Sequence, residues 1–197
     1  MFRWVAGLTG LALVFWAVPV WAYDPREEFQ RGTVVVTPQV GGGNAHNISN
    51  RRVFSDLSFV NGAVRVSLLP LDPLGQRFLT GALEVGLEPF FQYFTDVDAT
   101  AEGAKVGARY HFLGASPIFP YVEGLAGIGA SSLNVSEVDS NHLFFLEGGV
   151  GLSYFVKEGV ALTTGYRFQH MSNGGTEDPN QDVNSSTGVL GVSFFFH

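Results

Sequence analysis

Cysteine is absent from the 197-residue chain. That excludes a disulfide framework, a thiolate nucleophile and any cysteine-ligated metal site. Basic residues are scarce: 11 Lys and Arg stand against 18 Asp and Glu, for a formal net charge of -7. This balance argues against nucleic acid as a partner, because phosphate backbones need a basic face. It also gives no simple attraction to anionic lipid, so such a ligand needs local basic groups or bridging divalent cations. Beyond residue 22 the apolar runs are short and broken by glycine and charge, which leaves no transmembrane helix in the body of the chain. Methionine is rare too, with 2 against 18 Phe and 25 Gly. That profile suits a sheet protein with aromatic girdles and close strand packing better than a soluble helical one.

Residues 1–22 read as a secretory signal. Arg3 supplies the basic start, 5–18 the apolar stretch, and Pro19 breaks it before Val20 and Ala22 at the small-residue cleavage positions. The stretch 5–22 is just long enough to span as a retained anchor, but the cleavage pattern favours removal. The remaining 23–197 read as one domain.

What fills that domain is alternation. In 104–112, Ala104, Val106, Ala108, Tyr110 and Phe112 share one face, while Lys105, Arg109 and His111 share the other. The same period of two runs through 58–68, 78–93, 121–130 and 144–154. With 33–40, 160–172 and 186–196 the count reaches eight strands. Their polar faces collect Glu84, Glu88, Glu123 and Glu147 with Arg65, Lys105, Arg109 and Arg167. Such residues pair inside a closed barrel whose apolar face meets lipid. The expected fold is therefore all-β, an eight-stranded antiparallel transmembrane β-barrel of the outer-membrane type. Its lumen is filled by side chains and is not a pore. His111 falls in that filling, not in a metal site. Turns at 113–118 and 156–159 are short, and those at 41–53, 132–141 and 173–185 are longer and polar, so the latter face outward and the termini face the periplasm. The Gly191 to Phe196 ending fits a barrel-assembly signal, although His197 departs from the usual terminal aromatic.

Residues 168–184 read F-Q-H-M-S-N-G-G-T-E-D-P-N-Q-D-V-N. His170 and Ser172 are two apart, so on a strand they emerge from one face. A hydroxyl beside an imidazole is the core of nucleophilic acyl transfer. The string resembles the signature of the outer-membrane lipid A 3-O-deacylase (PagL) family, with His170, Met171, Ser172 and Asn173 followed by Pro179 and Asn180. The resemblance implies an esterase of the bacterial outer membrane. Its substrate would be lipid A of lipopolysaccharide, with Ser172 as nucleophile, His170 as general base and no cofactor. A homodimer is left open as an assembly. The family's triad acid falls on Asn184, which is not an acid; Asp182 and Glu177 are the alternatives for that role. An Asn of this loop serves the family's oxyanion site, which points to Asn180, and Gly174 and Gly175 let backbone N–H groups turn toward it.

Parity adds to this. Leu162, Tyr166 and Phe168 lie on the apolar face, and His170 and Ser172 continue it. Counting back by twos from Phe196 through Leu190 reaches Asn184. All three are thus expected on the outer wall, near the extracellular rim. The other reading is a non-catalytic barrel (an adhesin, lipid-binding or envelope-stabilising protein) that lost the triad acid.

Overall fold

In a computed structural model of the chain, the described residues are 23–46, 56–114 and 116–197. The expected signal at 1–22 lies outside them, as does most of the first long loop. Eight antiparallel strands follow one another: β1 (Val34–Ala45), β2 (Ser58–Leu68), β3 (Gly81–Phe94), β4 (Ala99–Phe112), β5 (Ile118–Ser131), β6 (His142–Lys157), β7 (Val160–Ser172) and β8 (Val183–Phe196). Each pairs with its sequence neighbours, and β1 also pairs with β8, so the barrel closes. Closure leaves no sheet edge, which is what lets a β-structure cross hydrocarbon with every ladder satisfied. No helix among the described residues is long and apolar enough to cross a membrane.

Burial alternates along every strand as the period of two requires. Val106, Leu146, Val150 and Leu190 are exposed on the outer wall, while their neighbours Lys105, Glu147 and Val189 are buried. The eight expected charged residues all meet in the lumen. Arg167 reaches Glu88 at 2.8 Å, Glu123 at 2.8 Å and Glu147 at 3.4 Å. Arg65 holds Glu123 at 2.9 Å, Arg109 holds Glu123 at 3.0 Å, and Lys105 holds Glu147 at 2.9 Å and Glu88 at 3.2 Å. His111 joins this network through Glu84 at 2.8 Å. The charges face one another because a lone buried ion costs several kcal/mol.

Aromatic residues occupy a second place that their assignment to outer girdles left out. Phe59, Phe90, Phe94 and Phe145 close the lumen at the loop-rich end, packed with Leu143 and Met171. Phe29, Phe119, Phe155 and Phe195 close it at the other end. Phe29 comes from the lead segment, where Pro25–Glu28 forms a single 3-10 turn. The turn is pinned by Glu28, whose carboxylate accepts from Gly159 N at 2.8 Å and from the Tyr23 hydroxyl, and lies 2.8 Å from His197 Nε2. Burial and the bonded carboxylate push the Tyr23 phenol well above its usual range, which keeps it a donor. His197 also meets Thr33 Oγ1 at 3.0 Å, so the unusual last residue fastens the plug.

Several boundaries differ from expectation. β1 runs on through Gly41 to Ala45, and β4 begins at Ala99, because these small residues pair in the ladders although they carry no hydropathy signal. Phe78 is not in a strand; it sits in the 3-10 turn Arg77–Leu79 at 77% exposure. The β2–β3 connection, 69–80, is a long one at the end that carries the chain termini, and the β3–β4 hairpin at the opposite end, 95–98, is short.

Arg167→Ala would take one basic partner from each of three buried carboxylates, Glu88, Glu123 and Glu147. The expected loss is about 3–5 kcal/mol of unfolding free energy in detergent-refolded protein, measured by urea titration. A loss under about 1 kcal/mol would contradict the network's role.

Candidate active site

Strand β7 places His170 and Ser172 on the outer face, both half-buried, with Met171 between them pointing inward at 1% exposure. Asn184 lies on the outer face of β8, directly opposite His170 in the ladder. Its Oδ1 is 2.9 Å from His170 Nδ1. A carboxamide oxygen in that position accepts, so Nδ1 carries the ring proton and Nε2 keeps its lone pair. Among the described residues no hydrogen bond joins Ser172 to His170; their spacing of two strand residues is about 7 Å between Cα atoms. The free Nε2 is the nitrogen left to meet the hydroxyl.

The loop after Ser172 is wound around one side chain. Asn173 is fully buried. Its Nδ2 donates to the carbonyls of Glu177 at 2.8 Å and Pro179 at 3.3 Å, and its Oδ1 accepts from Gly175 N at 2.9 Å. Its own N–H donates to Asn180 Oδ1 at 3.2 Å. Gly174 (φ 69) and Gly175 (φ 75) take left-handed backbone, where other residues are strained. This arrangement bears on two of the expected donors. The Gly175 N–H is spent on Asn173 Oδ1. Asn180, held by its oxygen, keeps its Nδ2 unengaged by any described residue.

Asp182 and Glu177 are not brought to the imidazole. β8 begins at Val183, and Asp182 precedes it with φ 61, so the strand parity that would have turned Asp182 toward His170 stops short. Glu177 is exposed, and only its backbone carbonyl is engaged. Among the described residues, no group of three or more His, Asp or Glu is placed to hold a metal.

Other residues of the site escaped the sequence reading. His142, the first residue of β6, lies 3.0 Å from Thr176 Oγ1, and that hydroxyl donates to Asn173 O at 2.8 Å. Gln181 N donates to Glu137 O at 2.7 Å, and Asn180 bridges to Val138. Through these contacts the β5–β6 loop braces the loop that follows the serine. His46 N donates to Asn184 O at 2.8 Å from the β1 side. His142 was within reach of parity, one step of two before Phe144.

A closed eight-stranded barrel with an apolar outer wall is a protein of the bacterial outer membrane, and here that wall carries a polar His–Asn pair and a serine at the rim beside the β7–β8 loop. The chain belongs to the lipid A 3-O-deacylase (PagL) family, whose sequence model matches residues 64–193. No curated protein matches it by sequence. Among solved structures it is similar to the Neisserial surface protein A, at 17% identity and a TM-score of 0.63, over 84% of this chain and 100% of that one. It is similar to the outer-membrane enzyme PagL at 18% identity and 0.61, over 80% and 97%. The outer-membrane protein OprG from Pseudomonas aeruginosa follows at 12% and 0.51, over 85% and 97%. At such identities the likeness shows the fold.

Asn173→Ala removes the bonds that wind the loop while leaving the strands intact. Hydrogen exchange should rise across 173–182, with unfolding free energy of the barrel changed by no more than about 1 kcal/mol. Unchanged protection in the loop would show that Asn173 does not hold it.

Proposed function

We propose that the protein is an outer-membrane serine esterase that removes the 3-O-linked acyl chain from lipid A. The observation that carries this reading is the pairing of His170 with Asn184 on the lipid-facing wall, two residues from Ser172 on the same face. Polar side chains on that wall are costly toward the membrane centre and less so at the rim. A nucleophile placed there meets a substrate that is itself a lipid.

The reaction follows from the tautomer. Nε2 of His170 takes the Ser172 proton as Oγ bonds to the ester carbon. The tetrahedral oxyanion is stabilised by donors that include the Asn180 carboxamide. Collapse breaks the bond to the sugar oxygen, which leaves as an alcohol with the proton from Nε2. Water, activated by the same nitrogen, then releases the fatty acid and restores Ser172. Asn184 orients the ring through its Nδ1 proton, as the Asn of Cys-His-Asn proteases does. Unlike a carboxylate, it adds no charge to balance the imidazolium formed during attack.

The test is turnover of purified lipid A by refolded variants. Ser172→Ala and His170→Ala should each abolish release of the 3-hydroxy fatty acid with the barrel still assembled. Asn184→Ala should lower turnover, and Asn184→Glu should raise it about ten- to a hundredfold by supplying the missing charge. Near-full activity in Ser172→Ala would remove the serine from the mechanism. An inactive wild-type protein would favour the non-catalytic barrel, to which the carboxamide at Asn184 also belongs.

A further inference from the structure

The longest connection at the end that carries the chain termini, 69–80, displays apolar side chains that nothing in the protein covers. Residues 71–79 are all exposed, with Leu71 at 43%, Leu74 at 46%, Leu79 at 52% and Phe78 at 77%. An inward place exists for such groups. Leu69 of the same connection and Phe29 of the lead segment are fully buried in the plug. At the opposite end, Leu133 and Val138 of the β5–β6 loop turn inward and are buried. The side chains of 71–79 turn the other way.

Their direction is built into the backbone. Leu74 and Gly81 exchange two hydrogen bonds, at 2.7 and 2.9 Å, which close 75–80 into a tight loop. Gly75 (φ 86) and Arg77 (φ 57) take left-handed backbone, which Arg77 adopts against its preference. A Cβ on Gly75 would collide with Leu79 O. The loop is fastened to the outer wall and not to the lumen. Tyr110, on the lipid face of β4, donates its hydroxyl proton to Leu79 O at 2.7 Å. Its ring covers Gly81, where a Cβ would strike it, and meets Phe112 edge-on with centroids 5.2 Å apart. Phe78 and Leu79 thus continue the apolar wall beyond its aromatic end. One charge stands among them: the exposed Arg77 has no side-chain partner among the described residues.

We propose that 71–79 is a foot set into the phospholipid leaflet on the side of the chain termini. Phe78 and Leu79 lie among its acyl chains, and Arg77 holds the phosphate of an acidic phospholipid. Continuity with the lipid-facing wall identifies the occupant: Leu68 and Val85, opposite one another beside the connection, are exposed on that wall. The charge fits it too. A guanidinium matches phosphate geometry, and its long stem lets the charge reach the headgroups while its neighbours stay in the apolar layer. The inference does not depend on the esterase reading. Its consequence is geometric, because the foot fixes how deep the barrel sits. That depth in turn sets the height of the opposite rim, where His170 and Ser172 stand.

The absence of cysteine makes the test direct. The full chain carrying Phe78→Cys, Leu79→Cys, Leu190→Cys or Glu177→Cys takes one nitroxide at a unique thiol. Each is reconstituted in vesicles of phosphatidylcholine and phosphatidylglycerol, with assembly checked by the gel mobility of the unboiled barrel. Electron paramagnetic resonance then compares collisions with oxygen, which concentrates in hydrocarbon, and with a water-soluble nickel chelate. Labels at positions 78 and 79 should lie about 5–10 Å below the lipid phosphates, between Leu190 on the mid-wall and Glu177 in water. Adding Arg77→Glu to Leu79→Cys should move its label toward water, and further with phosphatidylglycerol than with phosphatidylcholine alone. Labels as open to nickel as that at position 177 would overturn the foot. Labels closed to both reagents would overturn it as well, in favour of a protein partner. A shift with Arg77→Glu that ignores phosphatidylglycerol, or no shift, would overturn the phosphate contact.

Discussion

A residue in a closed membrane barrel has two addresses, lumen or lipid, and the ladder fixes which one it gets. A shift of one residue would send Arg167 into hydrocarbon and Tyr166 into the plug. The buried ion network makes that shift prohibitive, since Arg167 holds three carboxylates at once. The register it enforces in β7 and β8 is the same one that sets His170 opposite Asn184 on the outer wall. The lumen chemistry and the surface chemistry are therefore one constraint seen from two sides.

Much of this was legible before any coordinates. Charged residues at strand centres, such as Glu88 and Lys105, have no place on a lipid face, so the parity of β2 to β7 could be read from them. Continuing that parity put His170, Ser172 and Asn184 on the wall. Glycine-rich and alanine-rich strand ends were less legible, because Gly41 to Ala45 and Ala99 to Gly103 carry too few large apolar side chains for a period to show. The inward Phe residues were passed over for a related reason. An aromatic ring fits a lipid girdle or a lumen plug equally well, and only the ladder decides between Phe145 inside and Phe144 outside.

The loop was the least legible part. Asn173 stands in the motif beside the serine, yet its side chain is consumed in holding Gly175, Glu177 and Pro179. Loop conformation follows from hydrogen bonds that have no period, so the sequence pattern carries little of it. The same holds for His142, which reaches the loop through Thr176. Which of Asn184, Asp182 and Glu177 lies beside the imidazole turned on where β8 begins, and no period marks that boundary.

In its proposed role, the barrel turns the rule of the membrane to use: polar groups avoid lipid unless lipid is what they act on. The most direct test is mass spectrometry of lipid A from a bacterial host with 3-O-acylated lipid A that expresses either the wild-type protein or Ser172→Ala. Loss of one 3-hydroxyacyl chain with the wild type alone, at equal levels of assembled barrel, is the predicted result. Identical lipid A in both strains would contradict the account.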